Sequence, residues 1–251
     1  MKAKEIPICG LATVQARFKT NAASIKRLYF DYATGRKIGA ICKALAAARK
    51  VYRCVEPAEL EKIAGTLHHA GIVAIVEQQG PRAPTADDVA KWARAQAPLL
   101  ILDRVGNAHN LGAIARTAAF FGVKHIVVAD HPQQALPGEA AHRVSEGGLE
   151  SVEIFAAKDL AGFCRALAAH YRVVGTAVVG AVSLRKAAKG DAASAAKPVA
   201  LVLGNEEHGL APEVAKACSS LVTIPGSGLV ESLNVASATA VLCWEFFSKN
   251  R

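Results

Sequence analysis

Three features that would assign this chain of 251 residues to other protein classes are missing. No run of about 18 or more consecutive apolar residues occurs, so the sequence predicts no membrane-spanning helix. The N-terminus lacks the apolar stretch and the small-residue cleavage site of a secretory signal. The six cysteines form no Cys-x-x-Cys pair and no framework spacing. We therefore expect a cytoplasmic protein with reduced thiols, no membrane association and no metal site.

The chain has fewer acidic than basic residues. The chain has 21 Asp and Glu residues against 30 Lys and Arg residues, a net charge of +9, and its pI is about 9.4. The excess is concentrated in the first 53 residues, where Glu5 and Asp31 are the only acidic residues. A solvated basic surface would explain this, but a polyanionic partner explains it better, and the charge therefore favours nucleic acid.

Glycine, proline and polar residues cluster at 80–88 and divide the chain. We expect a domain over 1–80, a linker over 81–97 and a second domain over 98–251. The first domain is predicted as a small α/β unit, with helices at 11–20, 36–48 and 57–68 and strands at 26–31, 51–54 and 72–76.

The second domain alternates strands and helices more regularly. Strands are predicted at 99–103, 125–129, 152–155, 172–178, 198–203 and 221–224, and the principal helices at 111–121, 158–170, 211–217 and 232–248. This alternation predicts an α/β fold with a mostly parallel sheet covered on both faces.

Two segments of the second domain have the pattern of ligand loops. Residues 201–210 read Leu-Val-Leu-Gly-Asn-Glu-Glu-His-Gly-Leu, and residues 224–235 read Ile-Pro-Gly-Ser-Gly-Leu-Val-Glu-Ser-Leu-Asn-Val. In each, an apolar run breaks at glycine and polar residues follow. Parallel α/β sheets bind ligands at the carboxyl ends of their strands, so these loops predict one shared pocket.

Common nucleotide motifs do not fit these loops. Gly226-Ser-Gly228 opens a partial G-x-G-x-x-G pattern, but Glu231 occupies its third glycine position and no strand follows. The segment from Gly204 to Gly209 continues with Leu-Ala, where a P-loop requires Lys followed by Ser or Thr. A nucleophile elbow and a zinc-spaced histidine pair are also lacking.

A third segment, residues 107–118, precedes these loops in sequence. Asn110 stands where it would cap the helix predicted at 111–121. Arg116 lies among small residues that usually pack, and a buried arginine needs an anionic partner or a polar cavity. The simpler alternatives, that Asn110 is only a cap and that Arg116 is an exposed helix arginine, stay open on these residues alone.

Taken in order, these three segments resemble the motifs of the SpoU-type, or TrmH-like, RNA ribose 2′-O-methyltransferases of the SPOUT superfamily. The match runs across 99–248, through Asn110 to Arg116, Leu203 to Leu210, and Ile224 to Val235. Residues 143–152 resemble the family's small-residue turn. Residues 8–78 resemble, with fewer motifs, the N-terminal RNA substrate-binding domain of many members.

The resemblance implies a deep trefoil knot, S-adenosyl-L-methionine as cofactor, and methyl transfer to a ribose 2′-hydroxyl in rRNA or tRNA. The cofactor-binding residues it implies are Thr176, Leu203, Gly204, Ile224 and Leu233. The catalytic residues it implies are Asn110, Arg116, Glu206, Ser232 and Asn234.

The resemblance further implies a homodimer formed through the C-terminal domain and a pairing of Glu206 with Arg116. Arg116 would activate the hydroxyl or anchor a phosphate, and its permanent charge makes anchoring the easier role. A non-catalytic RNA-binding protein and, less well supported, a dinucleotide-dependent oxidoreductase are the alternatives. The loop at 180–197 gives no indication of which RNA is methylated.

Overall fold

The structure is a computed structural model that describes residues 4–178, 181–184 and 197–248. The chain forms two compact units. The small unit comprises Met1–Gly80 with Pro137–Ser151, and the large unit comprises Pro81–Leu136 with Val152–Arg251. Most of the 180–197 loop lies outside the described residues.

The strands are β1 (Lys4–Cys9), β2 (Ile25–Phe30), β3 (Val51–Cys54), β4 (Ile72–Gln78), β5 (Leu99–Leu102), β6 (His125–Ala129), β7 (Glu153–Ala157), β8 (Arg172–Thr176), β9 (Val182–Ser183), β10 (Val199–Leu203) and β11 (Ser220–Thr223). The α-helices of the described residues are α1 (Leu11–Asn21), α2 (Tyr32–Gly35), α3 (Gly39–Ala47), α4 (Pro57–Ala64), α5 (Ala86–Arg94), α6 (Ala108–Phe120), α7 (Glu139–Ser145), α8 (Leu160–Leu167), α9 (Pro212–Ala217) and α10 (Val235–Phe247).

The small unit contains a four-stranded mixed sheet in the order β1-β4-β2-β3. Strand β4 pairs antiparallel with β1 and β2, and β2 pairs in parallel with β3. Strand β1 is absent from the sequence prediction because Pro7 is a poor strand former. Proline is tolerated here since β1 lies at the sheet edge. Helix α4 ends at Ala64, earlier than predicted, because Gly65 adopts a left-handed φ of 68° and terminates it.

A buried ion pair fastens the segment at 137–151 within the small unit. The Arg17 guanidinium contacts both carboxylate oxygens of Glu150, at 2.5 Å from Nε and 2.9 Å from Nη2. The two side chains are only 10% and 4% exposed. His142 Nδ1 lies 3.2 Å from the same carboxylate, and His142 Nε2 lies 3.0 Å from Gln78 Oε1. Two separate stretches of sequence thus share one core.

The large unit contains a seven-stranded sheet in the order β7-β6-β5-β10-β8-β11-β9, and every pairing is parallel. The central strands β5 and β10 are apolar and almost entirely buried, as expected of a sheet covered on both faces. The predicted α/β fold, a parallel sheet with a small α/β domain before it, is confirmed.

Helix α5 lies in the region predicted as a linker and belongs to the large unit. A capping box between Thr85 and Asp88 fixes its start. Trp92, 6% exposed, stacks on His125 and meets Phe155 edge to face. None of the described helices has the length and apolar character that a bilayer-spanning segment needs.

Candidate active site

Both predicted ligand loops open onto one cavity of about 580 Å³ in the large unit. The cavity lies at the carboxyl ends of β8, β10 and β11, where parallel sheets place their ligands. Eight of the ten predicted site residues line it: Thr176, Leu203, Gly204, Glu206, Ile224, Ser232, Leu233 and Asn234. The other two, Asn110 and Arg116, are on α6 and are not part of this lining.

The loop after β10 folds back on itself. Asn205 and Gly209 exchange two backbone hydrogen bonds of 3.0 Å, and the Asn205 carboxamide oxygen accepts from the backbone N–H groups of Glu207 and His208. Gly209 has a φ of +66°, which glycine adopts without steric cost. The sequence Asn-Glu-Glu-His-Gly therefore forms a compact turn that holds Glu206 at the cavity.

Glycine is required at position 204 because the backbone of this turn lies too close to leave room for a side chain. A Cβ at Gly204 would lie 2.3 Å from the carbonyl carbon of Gly209 and 2.4 Å from the backbone nitrogen of Leu210. The family resemblance implied that Gly204 binds the cofactor. The contact that the structure provides is between two parts of the chain itself.

Asn110 lies inside α6 and does not cap it, so the predicted cap is wrong. The helix begins at Ala108, and its cap is Asn107, whose side chain accepts from the His109 N–H at 2.8 Å. Asn110 is thereby free to point across the site in the first turn. Its Nδ2 donates to Glu206 Oε1 at 2.7 Å.

Asn234 continues this line of polar groups. Its Oδ1 caps α10 by accepting from the Ala236 N–H at 2.9 Å, and its Nδ2 donates to Asn110 Oδ1 at 3.1 Å. The helix was predicted from 232, but the cap starts it at Val235 and leaves Ser232 in the loop. Asn234, Asn110 and Glu206 form a chain of two amides and one carboxylate, in which each amide donates to the next group.

The Glu206 carboxylate also accepts a backbone hydrogen bond. Gly106 donates its backbone N–H to Glu206 Oε2 at 3.4 Å, so residues before and within α6 hold both oxygens. One donor at each carboxylate oxygen therefore fixes the orientation of the Glu206 side chain at the cavity edge.

Arg116 is exposed on α6, and the expectation that it would be buried among small residues is wrong. The buried positions of the helix are Leu111, Gly112, Ile114, Ala115 and Ala118. Arg116 is on the opposite face. Its pairing with Glu206 stays a prediction.

Two residues that support this site were not picked out from the sequence: Asp103 and Arg104. Asp103 was visible as a charged residue at the end of a buried strand, but its partners are remote in sequence. Among the residues that the structure describes, no group of three or more His, Cys, Asp or Glu side chains could hold a metal ion.

Sequence comparison decides the family. The profile of the SpoU rRNA methylase family matches residues 97–244, and that of the RNA 2′-O ribose methyltransferase substrate-binding domain matches residues 7–81. The chain belongs to the SpoU rRNA methylase family. The family predicted from the sequence motifs is confirmed.

Named relatives agree with this assignment. The chain is 33% identical to the 23S rRNA (guanosine-2′-O-)-methyltransferase RlmB of Nitrosomonas europaea, over 97% of this chain and 91% of the relative. It is 34% identical to the uncharacterized tRNA/rRNA methyltransferase YfiF of Escherichia coli O157:H7, over 100% of this chain and 70% of the relative. The AdoMet-bound rRNA methyltransferase of Sinorhizobium meliloti superimposes with a TM-score of 0.78 at 25% identity, covering 98% of this chain and 88% of that structure.

The enzyme class follows from the family. This SpoU methylase is an S-adenosylmethionine-dependent RNA 2′-O-ribose methyltransferase, as the motifs predicted. The alternatives of a non-catalytic RNA-binding protein and a dinucleotide-dependent oxidoreductase are not supported.

Proposed function

We propose that this SpoU methylase modifies ribosomal RNA, with the cofactor in the described cavity and the ribose presented beside Asn110 and Glu206. The observation that carries the proposal is the hydrogen-bonded line from Asn234 through Asn110 to Glu206 at the cavity edge. The 23S rRNA guanosine specificity in the name of the Nitrosomonas relative supports ribosomal RNA over transfer RNA.

The cavity suits S-adenosylmethionine in size and chemistry. Its volume of about 580 Å³ is typical of small-molecule sites. Leu203, Ile224 and Leu233 offer apolar surface for a purine, while Thr176 and Ser232 offer hydroxyl groups. We assign Thr176, Leu203, Gly204, Ile224 and Leu233 to cofactor binding and keep Ser232 among the catalytic residues.

When bound, the cofactor supplies an electrophilic methyl group. The residues of the chain must then position the ribose 2′-hydroxyl and assist the loss of its proton. Glu206 is a fixed hydrogen-bond acceptor, because Asn110 and Gly106 already donate to its two oxygens. Its remaining lone pairs are available to orient a ribose hydroxyl or a substrate amine.

We assign Arg116 to the phosphate beside the target nucleotide. It is exposed on α6, the helix that also carries Asn110. A guanidinium binds phosphate oxygens through paired N–H donors and stays protonated, so anchoring suits it better than accepting a proton. Its charge close to the ribose would also favour the ionised hydroxyl.

We propose that the enzyme is a homodimer formed through the face of the large unit that carries α10. Trp244 is 64% exposed and Val241 is 38% exposed at helical spacing on α10, and Phe120 at the end of α6 is 69% exposed. Helices α6 and α10 pack against each other, so these side chains belong to neighbouring elements. Exposed apolar groups of this size are typical of protein interfaces.

We also propose that the C-terminal helix is threaded through a loop to form a trefoil knot, as in the family. The support is that β10 lies between β8 and β5, the latter a strand far earlier in the sequence, and that α10 packs on α6. An experimental structure that traces residues 176–248 without a break would test it.

We further propose a cytoplasmic location, because no disulfide joins any of the six cysteines, all within the described residues.

The decisive experiment maps 2′-O-methyl sites in total RNA from cells that lack this protein, complemented with wild type, Arg116→Ala or Arg94→Ala. We expect one ribosomal site to be methylated with wild type and with Arg94→Ala, an exposed helix arginine on α5. Arg116→Ala should leave that site unmethylated. A site in transfer RNA would refute the proposed substrate. If wild-type protein restored no site, the proposed function would fail.

A further inference from the structure

We propose that Asp103 and Arg104 are positioning residues that hold the loop at 204–211 in the shape that binds the cofactor. The inference rests on the proposed function and adds to it two residues that lie outside the cavity lining. Their part in the reaction is indirect, through the loop that carries Glu206.

Asp103 follows β5 directly and is 3% exposed. Its backbone N–H donates to the Leu203 carbonyl oxygen at 2.8 Å, which places it beside the start of the loop. Its Oδ2 accepts from the Ala211 N–H at 2.6 Å, at the end of the loop. One buried residue therefore holds both ends of the 204–211 loop.

Arg104 fastens the middle of the loop. Its Nη2 donates to the Gly209 carbonyl oxygen at 3.4 Å, and its own carbonyl oxygen accepts from Asn205 Nδ2 at 2.8 Å. The guanidinium is held in turn by Asp103, with Nε at 2.9 Å from Oδ1 and Nη2 at 3.1 Å from Oδ2. This paired geometry fixes the direction of the side chain as well as its charge.

The backbone of Arg104 indicates that this arrangement is specific. Its φ is +59°, a left-handed conformation that a residue with a Cβ adopts only when the surroundings favour it. That conformation aims the Arg104 carbonyl oxygen at Asn205 while the side chain turns back to Asp103. An ordinary extended residue at this position would lose one of these contacts.

The loop needs such a support because few of its side chains are buried. Residues 206–209 are exposed, and within the loop the turn is closed only by the Asn205 contacts. The same turn lines the cavity and brings Glu206 to Asn110. A shift of the loop would therefore change the cofactor site and the position of Glu206 together.

The test compares Asp103→Asn and Arg104→Gly with the matched control Asp159→Asn. Asp159 likewise accepts a backbone N–H, from Gly162, and lies 3.8 Å from an arginine, Arg165, but both side chains are exposed. Arg104→Gly removes the guanidinium, and glycine adopts the positive φ without strain. Arg104→Gly therefore still tests the proposed positioning role if Asp103→Asn fails to fold.

We expect calorimetry on the full chain to show S-adenosylmethionine affinity weakened about tenfold in both variants and changed less than about twofold in the control. KM for the cofactor should rise while KM for RNA stays constant, a split that general destabilisation would not produce. Arg104→Lys should recover part of the affinity, because it keeps the charge but not the paired geometry.

Cofactor affinity like that of wild type in folded Arg104→Gly would overturn the inference and leave the proposed function intact. Equal losses of cofactor and RNA affinity would also overturn it, since they would indicate a general structural role. If wild-type protein bound no cofactor, the proposed function would fail, and this inference with it.

Discussion

Asn110 Nδ2 and Glu206 Oε1 are joined by a hydrogen bond of 2.7 Å across 96 residues of sequence. The bond connects the first turn of α6 with the loop after β10, which are different walls of the site. An amide is well suited to this position, because it donates to Glu206 and accepts from Asn234 at the same time. A residue with only donors or only acceptors could not fill both roles.

Replacing Asn110 with aspartate should therefore abolish methylation. The new carboxylate would face the Glu206 carboxylate in place of a donor, and the two charges repel. We expect the rate of methyl transfer to fall at least about 100-fold, while cofactor affinity changes less than about threefold. Single-turnover methylation and calorimetry measure the two quantities. Gln96→Glu, the same amide-to-acid change at an exposed position before β5, should behave as wild type. Equal losses of rate and cofactor affinity would contradict the assigned role.

Replacing Gly204 with alanine should weaken cofactor binding by displacing the chain. The added methyl group would meet the backbone at Gly209 and Leu210, which cannot move aside as a side chain can. We expect a loss of about 1–3 kcal/mol in unfolding free energy and a measurable loss of cofactor affinity. Gly39→Ala in the small unit is the control, because a Cβ there has no neighbour within 4 Å. Wild-type stability and cofactor affinity in Gly204→Ala would contradict this prediction, because they would show that the loop can move to accommodate the added methyl group.

Glu150→Gln should destabilise the protein by about 3–5 kcal/mol, because it leaves the Arg17 charge buried without its partner. Thermal unfolding of the full chain measures the change. Glu5→Gln, which breaks the exposed ion pair with Arg27, should cost no more than about 1 kcal/mol. Similar values for the two variants would mean that the buried pair adds nothing beyond a surface contact.

The Glu150 pair should also give the protein a characteristic acid sensitivity. Burial alone would raise the pKa of Glu150, but hydrogen bonds from His142 and Arg17 outweigh it, and the pKa is lowered from its ordinary value of 4.5. Since the folded state favours the ionised form, this contribution is present above that value and is lost as the pH falls through the folded pKa. As the pH falls below 4.5, stability should therefore decline less steeply in Glu150→Gln than in wild type. Parallel pH profiles would refute the lowered pKa.

Trp244→Glu should convert the proposed dimer to a monomer. The substitution places a charge on the exposed apolar face of α10 and does not disturb the core, because Trp244 is 64% exposed. Sedimentation equilibrium of both proteins measures the change. Leu67→Glu, at a side chain 72% exposed in the small unit, is the matched apolar-to-acid control and should leave the assembly unchanged. A wild-type monomer would exclude the proposed interface.

The regular alternation of apolar strands and helices made the large unit predictable. A strand such as Leu99–Leu102, apolar throughout, can only be buried on both faces of a sheet, so its environment is evident locally. The burial of Arg116 was wrongly predicted although the information was available. Leu111, Ile114, Ala115 and Ala118 follow helical spacing, and that spacing places Arg116 on the exposed side.

The helix start could not be predicted with the same certainty. Asn107 and Asn110 are three residues apart, and either could cap a helix. What separates them is the bond from Asn110 to Glu206, which exists only once the sheet brings two distant segments together. The support that Asp103 and Arg104 give to the loop depends on tertiary structure for the same reason, since their partners lie about 100 residues further along the chain.

The place of Pro137–Ser151 in the small unit has a consequence for how this enzyme can be divided or recombined. A fragment that stopped at Gly80 would retain Arg17 without Glu150, a buried cation without its counter-charge. A fragment that began at Pro81 would carry His142 and Glu150 away from the core that covers them. A single crossover therefore cannot exchange the substrate-binding module between relatives. A working chimaera must exchange two stretches of sequence together, and evolution faces the same constraint.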